Sequence, residues 1–155
     1  MTAEQNSSTT RVLLVEDNPV DLLLLRFALE QEKNWPVEAT VAEDGEKAIH
    51  LLRSQAADPE AAKPDFIVLD LNLPRYDGTE VLRMIRGTDA LSGVPVAILS
   101  SSPGDVIEDK LNAAHVEADG HFTKPIGMEN FLALGNVLRA WYEQQTARRA
   151  AAGGL

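Results

Sequence analysis

Arg11-Val12-Leu13-Leu14-Val15-Glu16-Asp17 (RVLLVED) and Phe66-Ile67-Val68-Leu69-Asp70 (FIVLD) are short apolar runs, each closed by carboxylates. A short apolar run bounded by polar residues reads as a strand buried on both faces, the kind found in parallel sheets. In an open parallel sheet, ligands collect outside the carboxyl ends of the strands. His121-Phe122-Thr123 leads in the same way into Lys124 and Pro125. Glu16, Asp17, Asp70 and Lys124 are therefore expected at one edge of one sheet. Three carboxylates with one ammonium suit a hard divalent cation and a phosphoryl group.

Outward from these runs, strand and helix signals alternate. Asn18-Pro19 is a helix start, a capping side chain followed by proline at the first helical position. Val20, Leu23, Leu24, Phe27 and Ala28 carry helical spacing to about Glu32. Val37–Val41 reads as a second strand, and Asp44-Gly45 as a turn into a short helix marked by Ala48, Leu51 and Leu52. Arg53–Asp65, with Pro59 and Pro64, reads as a loop. Leu73–Gly78 is a turn before a helix carrying Val81, Leu82 and Ile85. Val94–Leu99 is a fourth strand, Ser102-Pro103 opens a helix, and Gly120–Thr123 is a fifth strand. The last helix starts near Met128 and carries Phe131, Leu134, Leu138, Trp141 and Tyr142. The expected fold is a doubly wound α/β sandwich with a five-stranded parallel sheet and helices on both faces. One folded unit is expected over 11–145, between a disordered tail at 1–10 and a flexible Ala/Gly tail at 146–155.

Composition narrows the function. The chain has 155 residues, enough for one domain with a proper core. It lacks cysteine, which excludes disulfides, thiolate metal sites and Cys nucleophiles. Met1–Thr10 has neither the basic nor the apolar segment of a signal peptide, and the longest apolar run, Leu22–Leu25, is far too short to span a bilayer. A cytoplasmic protein is expected. The net charge of −10 argues against general nucleic-acid binding, which needs a basic patch. Arg139, Arg148 and Arg149 read as a solvated helix end.

An isolated Glu16-Asp17 pair would ordinarily be the solvated mouth of a loop. Convergence with Asp70 reverses that reading, because like charges in one crevice repel and a bound cation is the usual way they are tolerated. Oxygen donors alone suit Mg²⁺, and the absence of His or Cys from the cluster excludes a typical Zn²⁺ site. Lys124 at a strand end can neutralise phosphoryl charge. Of Ser100-Ser101-Ser102, Ser100 is expected to contact phosphate, and the other two to form a capping turn.

The set Glu16-Asp17, Asp70, Ser100 and Lys124-Pro125, at the ends of strands one, three, four and five, resembles the receiver domain of two-component response regulators. The resemblance covers about Arg11 to Glu143. Within the family, Leu69–Gly78, the loop at Arg53–Asp65 and the aromatic Trp141-Tyr142 look most like the small stand-alone regulators of bacterial phytochromes. The resemblance implies strand order 2-1-3-4-5 and Asp70 as phosphoacceptor. It implies Mg²⁺ held by Asp17, Asp70 and the Asn72 carbonyl, with Glu16 acting directly or through water, and phosphoryl oxygens held by Ser100 and Lys124. It further implies a sensor histidine kinase as donor, and no enzymatic activity beyond self-directed phosphotransfer and dephosphorylation. Where the family has Tyr or Phe as partner to the switch hydroxyl of Ser100, this chain has His121. Phe122 points to the other face by strand alternation.

After Lys124-Pro125 one helix remains, too little for an effector domain, so signalling through protein contacts is expected. Leu22–Leu25 must leave a leucine partly exposed, and Leu22 and Leu25 are candidates for a kinase interface. Trp141 and Tyr142 are candidates for a homodimer interface. Two rival readings are weaker. A Mg²⁺-dependent phosphohydrolase of the haloacid-dehalogenase type needs a second Asp two residues after the first, where this chain has Asn72. A flavin-mononucleotide binder needs a Ser/Thr/Gly-rich loop after the first strand, where Glu16-Asp17-Asn18-Pro19 would repel phosphate.

Overall fold

Apolar runs are satisfied in the middle of a sandwich: β3 (Phe66–Leu69), wholly apolar, and β4 (Val96–Ser100), apolar except for Ser100, are buried along their whole length. The computed structural model describes residues 9–153. Around these two strands lie β1 (Thr10–Val15), β2 (Val37–Ala42) and β5 (Gly120–Thr123). Every neighbouring pair is parallel, in the order β2-β1-β3-β4-β5. The edge strand β2 alternates between half-buried and exposed residues, as an edge should. Chain direction across the sheet reverses between β1 and β3, the switch point where a doubly wound sheet opens a crevice.

Successive residues of each strand face opposite sides. Leu13, Val15, Ile67, Leu69 and Ile98 pack with α2 (Gly45–Ala57), α3 (Gly78–Gly87) and α4 (Gly104–Ala114). Val12, Leu14, Phe66, Val68, Ala97 and Leu99 pack with α1 (Pro19–Glu30) and α5 (Met128–Gly153). Helices α1 and α5 lie side by side, close enough that a Cβ on Gly135 would collide with the Ala28 carbonyl. Among the described residues no helix is long and apolar enough to cross a membrane.

Several boundaries move from their sequence reading. Helix α2 runs through Ala57, so the loop begins at Asp58. Gln55 and Ala56 turn a partly buried face to the domain, and Ala is the strongest helix former. Strand β4 starts at Val96 because Pro95 has no N–H to donate; its carbonyl accepts from Ile67 instead (2.9 Å). Neither Ser101 nor Ser102 caps α4, whose N-cap is Pro103 with no side-chain bond. Helix α5 continues to Gly153, so 146–153 is helix, not tail: a run of Ala and Arg has no reason to stop helical propagation. At the other end β1 already includes Thr10, and residues 1–8 of the expected tail lie outside the described residues.

Candidate functional site

Each acidic residue arrives at the crevice by its strand's register. Asp70 ends β3 with its N–H donated to the Val15 carbonyl (3.0 Å), and Glu16 ends β1 with its N–H on the Ala42 carbonyl (3.1 Å). Asn18 caps α1, its Oδ1 accepting from the N–H groups of Val20 (2.9 Å) and Asp21 (3.1 Å), while its own N–H is donated to Glu16 Oε2 (3.1 Å). The helix cap thereby orients the carboxylate beneath it. Gly78 lets the loop after β3 fold tightly around Asp70: a Cβ there would lie 2.5 Å from the Asp70 carbonyl oxygen.

Carboxylate oxygens of Glu16, Asp17 and Asp70 lie within 4.8 Å of one another. Glu16 (2 % exposed) and Asp70 (5 % exposed) are buried, and Asp17 faces solvent. Lys124 enters from β5, positioned by its N–H on the Ser100 carbonyl (2.9 Å). Its Nζ reaches Glu16 Oε1 (2.9 Å), Asp21 Oδ2 (3.0 Å) and Asp70 Oδ2 (3.2 Å). The other Asp70 oxygen accepts from the Asn72 N–H (3.0 Å).

Burial pushes the Glu16 carboxyl up to about 7, helped by the Asp70 charge and opposed by the bonds from Lys124 and the Asn18 N–H. Burial works against the Lys124 charge, yet bonding to Glu16 and Asp21 and the field of Asp70 hold its ammonium well above the ordinary lysine range. A buried carboxylate that resists ionisation beside two others is a site short of positive charge. The all-oxygen donor set fits a hard cation such as Mg²⁺ or Mn²⁺.

Ser100 is fully buried, its Oγ accepting from the Ser102 N–H (3.1 Å), and it lines a cavity of about 140 Å³ with Leu71, Asn72 and Lys110. Lys110 of α4 bridges Asp77 (3.2 Å) and the Asn72 side chain (3.3 Å) across that cavity. Burial opposes it, but bonds from Thr79 and Lys110 hold the Asp77 carboxyl below its usual range. Nothing in the local sequence marks Lys110, because its role depends on where α4 sits. Asp21 was also missed. Its signal is its place in the first turn of α1, where the side chain tilts back toward the helix N-terminus and so toward the strand ends.

His121 stands exposed on β5, beside Glu108, Leu111 and Asn112 of α4. Phe122 points to the opposite face and packs edge-on to Trp141 (6.0 Å).

The expected interface residues need correction. Leu25 is 1 % exposed and belongs to the core, and Leu22 is half-buried against it. The apolar side chains of α1 that face solvent are Val20, Leu23 (68 % exposed) and Phe27, because α5 covers the adjacent face. Trp141, 8 % exposed, packs edge-on to Phe66 (5.8 Å) and donates its indole N–H to the Asp119 carbonyl (3.2 Å). Tyr142 tilts onto Phe66 (4.8 Å) and Trp35 (6.3 Å). Both aromatics are filled by their own chain, and the argument for a homodimer built on them falls. Arg139 is no solvated helix end either: it donates to the Lys33 carbonyl (2.7 Å), with its guanidinium over the Trp35 ring (5.8 Å).

Comparison with known proteins agrees with this geometry. Residues 12–135 match the response regulator receiver domain. The transcriptional regulatory protein TrcR of Mycobacterium tuberculosis is 37 % identical over 135 residues, 86 % of this chain and 47 % of that protein. The chain thus spans about half the length of that regulator, whereas its match to the response regulator Rcp1 of Synechocystis sp. covers 93 % of this chain and 97 % of Rcp1, at 28 % identity. The crystal structure of the phosphorylated cyanobacterial phytochrome response regulator RcpA superposes with a TM-score of 0.75 at 31 % identity, over 86 % of this chain and 94 % of that one. Rcp1 is also known in a Mn²⁺-bound form (TM-score 0.72, 29 % identity, covering 86 % and 95 %). The chain belongs to the response regulator receiver family, in the flavodoxin-like fold, and the dehalogenase-type alternative finds no support.

Proposed function

We propose that this receiver domain accepts a phosphoryl group on Asp70 from the phosphohistidine of a sensor kinase, and that the kinase is of the phytochrome type. The observation that carries the proposal is Asp70 itself: nearly buried, at the switch point, with one oxygen on the Asn72 N–H and the other on the Lys124 ammonium. An oxygen of Asp70 attacks phosphorus in line. The P–N bond to the imidazole breaks, its electron pair stays on nitrogen, and an aspartyl phosphate forms. Lys124 is then beside the phosphoryl oxygens and offsets their charge. Asp17, Asp70 and the Asn72 carbonyl, with Glu16 directly or through water, would hold Mg²⁺, which when bound neutralises charge on the phosphoryl group.

The Ser100 hydroxyl, already bonded to the Ser102 N–H, is the group the new dianion would draw toward itself. In this reading that displacement biases the α4–β5 surface, where His121 stands as switch partner. The protein is thus a phosphoacceptor signalling from the cytoplasm through contacts, not an enzyme acting on other substrates. The phytochrome assignment is supported by the likeness to RcpA and Rcp1. Docking is supported by Val20, Leu23 and Phe27 on α1 and by Ile126 and Met128 after β5, five exposed apolar side chains on segments that adjoin the crevice.

The test is radiolabel transfer from acetyl phosphate and from a phytochrome kinase. Asp70→Asn should take no acid-labile label from either donor while melting like the wild type; wild-type labelling of that variant would refute the assignment. Leu23→Asp should slow transfer from the kinase by about tenfold and leave acetyl phosphate labelling unchanged, since charge on an apolar docking face mainly affects the complex.

A further inference from the structure

We infer that Asp21 is a positioning residue for phosphoryl transfer, anchoring the Lys124 ammonium over Asp70 at a point for which a bound cation does not compete. The inference rests on Asp70 as acceptor. The Lys124 ammonium donates hydrogen bonds to Asp21 and Asp70 and forms an ion pair with Glu16. These partners are not equivalent. Glu16 and Asp70 also belong to the cluster that suits a metal, whereas Asp21 does not. A cation drawn to Glu16 weakens its hold on Lys124 by sharing the same carboxylate. Asp70 loses its anionic charge once it carries the phosphoryl group, so the N–H that Lys124 donates to it turns to a phosphoryl oxygen while the ammonium keeps its proton.

Of the three partners, Asp21 alone lies outside the cluster that suits a metal and carries no phosphoryl group, so neither event need disturb its bond to Lys124. That carboxylate sits on a rigid element, the first turn of α1, with its backbone N–H bonded to the Asn18 cap. Its negative charge there is favoured by the N-terminal end of the helix dipole. Lysine's four-carbon stem is flexible, and without a fixed anion the ammonium would share its time between the crevice and solvent. Asp21 thus does for Lys124 what a preorganised dipole does in any electrostatic site: it removes reorganisation from the reacting step.

A bond of this kind could instead merely tie β5 to α1. A double-mutant cycle separates the two roles. Labelling rates from acetyl phosphate at saturating Mg²⁺ are compared for wild type, Asp21→Asn, Lys124→Ala and the double variant, with thermal melts confirming that each is folded. Asp21→Asn, close in size, should slow labelling by about tenfold, the scale of modest misplacement of a catalytic group. Asp21→Glu, which keeps the charge, should recover part of the rate. In the Lys124→Ala background the Asn substitution should change the rate less than about twofold, because there is no ammonium left to position. Equal loss in both backgrounds, or a wild-type rate for Asp21→Asn, overturns the inference alone. So does a loss of Mg²⁺ affinity, by calorimetry, as large as that of Asp17→Ala, which would make Asp21 a ligand. A wild type that takes no label would instead sink the acceptor assignment.

Discussion

The two ends of one sheet carry opposite solutions to burial. At the carboxyl ends, Glu16 and Asp70 are buried with one ammonium among four carboxylates, those of Glu16, Asp17, Asp21 and Asp70, and Glu16 resists ionisation. At the amino ends, Trp35, Phe66, Trp141 and Tyr142 close on one another, and the Trp141 indole N–H finds the Asp119 carbonyl. The aromatic end is satisfied largely by the chain itself: Trp35, Phe66 and Trp141 are buried and Tyr142 is half-buried against them. The acidic end is short of positive charge and suits a cation supplied from outside. Unmet electrostatic demand, more than residue size or exposure, separates a site from a core here.

The largest effect should come from breaking the satisfied end. Trp141→Ala removes a large buried side chain and leaves the Asp119 carbonyl without its donor, so stability should fall by about 3–5 kcal/mol in urea melts. Sedimentation should be unchanged, and label uptake at Asp70 should persist below the lowered melting temperature. A variant that keeps its stability but changes its sedimentation would restore Trp141 as an intermolecular anchor.

Next comes the unsatisfied end. Asp17→Ala removes an exposed carboxylate with no packing role, so Mg²⁺ affinity should weaken by about tenfold or more. Stability without metal should stay within about 0.5 kcal/mol, or rise as repulsion is relieved. Calorimetric titration beside a melt measures both, and equal affinity in variant and wild type would remove Asp17 from the ligand set.

The smallest effect is a pH dependence. The Glu16 carboxyl is raised from 4.5 to about 7 in the folded, metal-free protein. Between those values the unfolded chain has released the proton and the folded one keeps it, so folding takes up a proton and stability falls as pH rises through that window. Mg²⁺ binding favours the ionised form, so its affinity should rise over the same range. Glu16→Gln should flatten both profiles, read by urea melts and calorimetry at pH 5 and pH 8. Wild-type slopes that survive the substitution would assign the proton elsewhere.

Glu16, Asp17, Asp70, Ser100 and Lys124 were legible because each lies within two residues of a strand end, and parallel strands bring their carboxyl ends together whatever the helices do. The α1 and α5 readings were less secure for the converse reason. Which leucine of Leu22–Leu25 faces water depends on where α5 lies, and at its close approach to α1 Gly135 leaves room for the Ala28 carbonyl. Trp141 and Tyr142 look the same in sequence whether they meet Phe66 and Trp35 of their own chain or another molecule.

Local pattern alone therefore determined the alternation of elements, the parallel sheet and the acidic edge, since periodicity and strand-end placement act over a few residues. Tertiary structure alone decided the contacts that span the chain: Asp21 with Lys124, Lys110 with Asp77, and Phe66 with Trp141. Each joins residues tens of positions apart, through helix placements that follow from how side chains fill the two faces of the sheet, and no local periodicity encodes that filling.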